Sequence, residues 1–227
     1  MTNPSGTSTN TKIAVGFTAA IILLVIAFII IVVVQRQDTA QEAVIDPDTG
    51  APSVVREDSH RLDDVDGAKV TIVEFLDFEC EACGAFYPIV EDLREKYDGQ
   101  MTYVVRYFPL PGHGNSVNAA VAVESAARQG QFDSMYNKMF QTQSEWGEST
   151  EFKAPLFRTF AEELGLDMEQ YDADVADPTT AERVQSDFND GKALGISSTP
   201  TFFINGQLLQ LQSFDDLESA IAAELGK

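Results

Sequence analysis

The chain has 227 residues, enough for one well-buried domain with additions and too few for three. Hydrophobic residues make up 44% and charged residues 22%, ordinary globular usage that excludes a disordered or collagen-like chain. Lys and Arg number 15 against 36 Asp and Glu, and a net charge of -21 repels phosphate backbones and argues against nucleic acid as a partner.

Residues 1–12, rich in Ser, Thr and Asn, read as a short head. Residues 13–34 carry no charge and are dominated by Ile, Val, Leu and Phe. As a helix they would span ~33 Å, which predicts a transmembrane segment. A cleaved signal peptide fits less well, because its apolar part is usually about 7 to 15 residues and ends in an A-x-A-like site. The short polar head and the long remainder suit a single-pass anchor in the cell membrane, with the N-terminus cytoplasmic and residues 35–227 outside. Residues 35–60, broken by Asp-Pro, Thr-Gly and Ala-Pro, read as a flexible tether, and 61–227 as the folded domain.

Val70 to Phe78 is β-branched and aromatic and predicts a buried strand. Cys80-Glu81-Ala82-Cys83 follows directly, and Phe86, Ile89, Val90, Leu93 and Tyr97 recur at helical spacing, so the CxxC stands at a helix start. Asp98-Gly99 stops that helix, and Met101 to Phe108 predicts a second strand, parallel to the first. From about 113 to 194 the pattern is helical, with Pro155 and Pro178 in first turns. Thr201 to Ile204 returns to strand, Asn205-Gly206 signals a hairpin, Gln207 to Leu211 runs back, and Ser213 to Leu225 predicts a closing helix capped by Ser213.

Cys80 and Cys83 are the only cysteines, which excludes a disulfide-stapled scaffold and any four-cysteine metal site. The order of elements and three stretches, Glu74-Phe75, Cys80-Glu81-Ala82-Cys83 and Ser198-Thr199-Pro200-Thr201-Phe202, resemble the thioredoxin-like thiol-disulfide oxidoreductases. Within them the chain resembles membrane-anchored bacterial relatives of the DsbA enzymes, over about Val70 to Leu225. The resemblance implies an α/β thioredoxin fold with an inserted all-helical domain, preceded by the transmembrane helix. It implies a disulfide oxidase acting on exported cysteine-containing proteins and served by a membrane redox partner. No bound cofactor is expected, because the dithiol is itself the redox group, and no metal. A reductase or isomerase of the same fold, and a non-catalytic binding or chaperone module, remain alternatives.

A helix start offers unpaired N-H groups and partial positive charge that stabilise a thiolate, so Cys80 is expected to attack and Cys83, one turn on, to resolve. The alternatives for the pair are a permanent disulfide or half a zinc site, but so short a loop constrains little entropy and His60 and His113 lack ligand-like spacing. The resemblance places Glu74 as a buried proton acceptor for Cys83; otherwise it is a solvent-facing strand residue. It makes Pro200 a cis-proline beside the cysteines and Thr199 its substrate-pairing neighbour; otherwise Thr-Pro is a turn before a strand. Glu81 and Ala82 form the motif dipeptide that tunes the redox potential. Glu79 and Glu81 place negative charge beside Cys80, which predicts a raised thiol pKa and a less oxidising disulfide. Asp77 has no assigned role, and His113 and Trp146 read as packing residues.

Overall fold

The computed structural model describes residues 53–226. The expected head, the apolar run 13–34 and most of the tether lie outside them. Among the described residues no helix is long and apolar enough to cross a membrane.

Five strands, β1 (His60–Asp63), β2 (Val70–Leu76), β3 (Met101–Tyr107), β4 (Thr201–Ile204) and β5 (Gln207–Leu208), form one sheet in the order β1-β3-β2-β4-β5. β2 and β3 are parallel, while β1 on β3, β4 on β2 and β5 on β4 are antiparallel. Helix α1 (Glu81–Lys96) makes the crossover from β2 to β3. Six helices then intervene before β4: α2 (Ser116–Ala127), α3 (Phe132–Gln141), α4 (Gln143–Trp146), α5 (Ala154–Glu163), α6 (Met168–Ala176) and α7 (Pro178–Ala193). Helix α8 (Asp215–Leu225) closes the chain.

The strand period of two sorts the central residues onto two faces. Ile72, Leu76, Tyr103, Val105 and Phe202 join a core with Phe86 and Val90 of α1, Leu217 and Ile221 of α8, and the apolar faces of α2, α3 and α5. Val73, Phe75, Val104 and Phe203 join Phe108, Ile196 and Phe188 of α7 on the other face. By the same parity Glu74 belongs to the first face and Arg106 to the second, both buried. α7 approaches closely because Gly191 has no side chain: a Cβ there would lie 2.6 Å from the Phe108 ring. The insert has its own aromatic centre, where Trp146 lies fully buried, edge-on to Phe157, and donates Nε1 to the Met139 carbonyl at 3.3 Å.

Several local expectations are corrected. β2 stops at Leu76 rather than Phe78, because the Asp77 side chain leaves the ladder to accept the Glu79 and Leu110 amides. β1 and the segment before it belong to the folded unit, whereas the tether was expected to reach 60. The reason is a set of side-chain and backbone bonds to α7 and β3: Arg56 reaches Ser186 and Asp190, Arg183 donates to the Asp58 carbonyl, and Arg106 donates to the Val54 carbonyl. β5 has two residues, not five. Ser213 does not cap α8 with its hydroxyl. Asp216 Oδ2 instead accepts the Gln212 and Ser213 amides at 2.6 and 2.7 Å, so the cap is made backwards from inside the helix. The Asn205-Gly206 turn does form, both residues taking positive φ (49° and 78°), as a two-residue hairpin requires.

Candidate active site

Cys80 is the N-cap residue of α1, in extended backbone conformation between Asp77, whose carbonyl accepts the Cys80 amide at 3.1 Å, and the first helical turn. Its thiol is buried and donates to the Thr199 carbonyl at 3.4 Å. The Thr199-Pro200 peptide is cis, so the loop before β4 presents the Thr199 carbonyl to the sulfur. Both thiols are free, and Cys83 is the more deeply buried.

The environment separates the two thiols chemically. Hydrogen bonding from Cys83 outweighs burial and, with the Cys83 and Ala82 amides at the helix start, brings the Cys80 pKa down to about 5. Burial pushes the Cys83 thiol well above its ordinary value, reinforced by its bond to Cys80 and the nearby Glu74 charge. The expected rise at Cys80 from Glu79 and Glu81 is therefore overturned. Glu79 is buried with Oε2 accepting the Asn115 amide at 2.6 Å, and Glu81 is exposed, so neither governs the sulfur.

Glu74 pairs in register with Phe202 on β4 and Val105 on β3, beneath the start of α1, and does not face solvent. Burial raises its pKa to about 8, partly offset by the Tyr103 hydroxyl that donates to Oε2 at 2.7 Å. A carboxyl so held can carry or accept a proton near neutral pH. The structure thus brings Cys80, Cys83, Glu74, Thr199 and Pro200 to one end of the sheet. Ala82 and Glu81 lie on the exposed first turn of α1, and Glu81 bonds the exposed Glu148, which holds the Glu148 pKa up.

Three further residues build this site, and no sequence signal assigns them to it. Gln143 of α4 donates Nε2 to the carbonyls of Phe78 and Cys80 at 2.8 and 2.9 Å, fastening the insert to the CxxC turn. Gly84 leaves the space it needs, since a Cβ there would meet the Gln143 amide. Tyr103 is legible only as a strand aromatic. His60 bonds Glu124, and His113 bonds Asp77.

A low-pKa thiol at a helix start, a shielded second thiol one turn on and a cis X-Pro bond opposite define a thioredoxin-like redox-site architecture. The family model described as Thioredoxin matches residues 66–223, and the chain belongs to that family. Similar solved structures are a thioredoxin-like oxidoreductase from Silicibacter pomeroyi (24% identity, TM-score 0.63, 76% of this chain and 95% of that one) and oxidised BdbD from Bacillus subtilis (24%, 0.62, 71% and 90%). Wolbachia pipientis alpha-DsbA1 is similar at 20% identity and TM-score 0.65, over 76% of this chain and 93% of that one. These likenesses establish the fold. Curated relatives include the Na(+)/H(+) antiporter NhaA 1 of Mycobacterium sp. (strain KMS), 37% identical over 145 residues, and NhaA of Herminiimonas arsenicoxydans, 37% over 143. The matches take in 62% and 63% of this chain but only 22% of each relative, so the chain spans about a fifth of their length.

Proposed function

We propose that this protein is a thiol-disulfide oxidoreductase that exchanges disulfides with exported proteins through Cys80 and Cys83. The observation that carries the reading is geometric: Cys80 is the N-cap of α1 with its sulfur against the Thr199 carbonyl of a cis Thr199-Pro200 bond, Cys83 is shielded one turn on, and Glu74 is buried in the adjoining strand. In client oxidation a client thiolate attacks the Cys80 sulfur, Cys83 leaves and takes up the Glu74 proton, and the second client thiol displaces Cys80 as thiolate; in the reverse direction Cys80 attacks, Cys83 displaces the mixed disulfide and Glu74 takes its proton. A thiolate stabilised at neutral pH favours the dithiol form, which makes the disulfide an oxidant, and this supports oxidation of clients over their reduction. Thr199 and Pro200 form the surface against which an extended client segment lies, and Glu81 and Ala82 border it. The apolar run 13–34 anchors the domain outside the cytoplasm, where a membrane redox partner restores the disulfide.

Trapping tests the assignment. Cys83→Ala is expected to accumulate mixed disulfides with a cysteine-containing client, seen as shifted bands on non-reducing gels, and Cys80→Ala to accumulate few. Equal capture by both variants, or no exchange by the intact chain with a reduced peptide, overturns the reading.

A further inference from the structure

His113, on the loop between β3 and α2, takes no part in the exchange chemistry above, yet it is tied to the same turn. Asp77 is buried and fully engaged: Oδ1 accepts the Glu79 amide at 2.9 Å, while Oδ2 accepts the Leu110 amide at 2.9 Å and His113 Nδ1 at 2.6 Å. Burial raises the Asp77 pKa and these bonds to its charged form oppose the rise; with both oxygens already accepting amides, we assign the hydrogen of the third bond to Nδ1. Nε2 is then the atom that takes a second proton, and the ring is partly exposed, so that proton exchanges with water. The Asp77 carbonyl meanwhile accepts the Cys80 amide. One residue therefore fixes both the imidazole and the attacking cysteine.

The charged groups that act most strongly on His113 among the described residues are anionic or become so. They are Asp77, Glu79 and Cys80 from the turn before α1, and Glu148, bonded to Glu81, from the loop before α5. We propose that His113 is the counter-charge of the Cys80 thiolate, gaining a proton when the CxxC is reduced and losing it when the CxxC is oxidised, with Asp77 as the positioning residue. The inference rests on the reading of Cys80 as the attacking thiol. When a client dithiol reduces the Cys80-Cys83 disulfide, the client S-S bond forms and the Cys80-Cys83 bond breaks. Two electrons pass to Cys80 and Cys83. Of the two client thiol protons, one goes to Cys83 and the other is shared between His113 and the water in contact with it, which leaves Cys80 as thiolate. Burial opposes charge on the ring, but Asp77, Cys80 and Glu79 outweigh it and hold the imidazole pKa above its ordinary value.

The chain has two histidines, so ¹³C-histidine labelling of the full-length protein in detergent micelles gives two ring signals, with His113 assigned from His113→Gln. The His113 midpoint is expected ~0.5 pH unit or more higher in the reduced than in the oxidised protein. Coupling is reciprocal, so His113→Gln raises the Cys80 midpoint, followed by thiolate absorbance at 240 nm, by a similar shift. Asp77→Asn lowers the His113 midpoint in both redox forms. A His113 midpoint equal in the two forms overturns the proposal, and the wild type alone decides this whether or not the variants fold. Peptide disulfide exchange separates the two readings. Exchange with coincident His113 midpoints removes the counter-charge alone, whereas absence of exchange removes the functional reading beneath it.

Discussion

Glu74 is an acid between Val73 and Phe75 in a buried strand, and burial is what makes it useful. Folding favours its protonated form: its pKa is about 8 in the fold against an ordinary 4.5. Its contribution to stability is therefore complete below about pH 4.5 and is lost as pH rises through about 8. Reduced Cys80, lowered to about 5, acts in the opposite sense, so the comparison belongs in the oxidised protein, where no thiol titrates. There Glu74→Gln is expected to make the decline in urea-unfolding free energy between those limits shallower, leaving the part that His113 and Asp77 contribute. In the exchange reaction the same substitution is expected to slow release of the mixed disulfide ~10²-fold and to flatten its rise with pH through about 8, read by stopped-flow. Parity along β2 and resemblance placed Glu74 in the sequence, but its bond to Tyr103 was not legible, because the two meet only through the parallel register of β2 and β3. The acids beside Cys80 were misjudged for a related reason. Sequence adjacency gives a charge its distance along the chain, whereas the Asn115 amide decides where the Glu79 carboxylate lies.

Helices and strands were read most securely where apolar period and breakers agreed, as in α1, the β4-β5 turn and the proline-led starts of α5 and α7. They were misread where a side chain closed a loop or helix start from elsewhere, as Asp77 does after β2 and Asp216 does before α8. α7 depends on a residue that has no propensity argument in its favour, since glycine weakens a helix interior. Gly191→Ala removes that weakness but drives a methyl to 2.6 and 2.7 Å from Phe108 ring carbons and 3.2 Å from Phe75. Overpacking is expected to win, with a net loss of about 1–3 kcal/mol in chemical denaturation.

Across the domain, the second face of the sheet is secured by charge as much as by apolar packing. Arg106, fully buried, reaches Asp187 at 2.5 Å and Asp190 at 2.6 Å and lies 5.1 Å from the centre of the Phe75 ring. Arg56 and Arg183 complete the network from the N-terminal segment and from α7 itself. Arg106→Met would leave two buried carboxylates short of a partner and is expected to destabilise the protein by roughly 3–5 kcal/mol in urea unfolding. None of this was readable in advance, because the partners lie 81 and 84 residues apart and a lone arginine in a strand looks like an edge charge.

Trp146 gives the molecule an optical property. It is the only tryptophan, lies out of water in the insert, and shares α4 with Gln143, which holds the carbonyls of the CxxC turn. Every photon of indole emission thus comes from one place, whereas far-ultraviolet dichroism sums helices on both sides of the sheet. Because α7 packs against both α2 and β3, the emission and dichroism melting curves are expected to superimpose. An emission curve that moved first would reveal the insert opening ahead of the sheet, with a colour change as its signature.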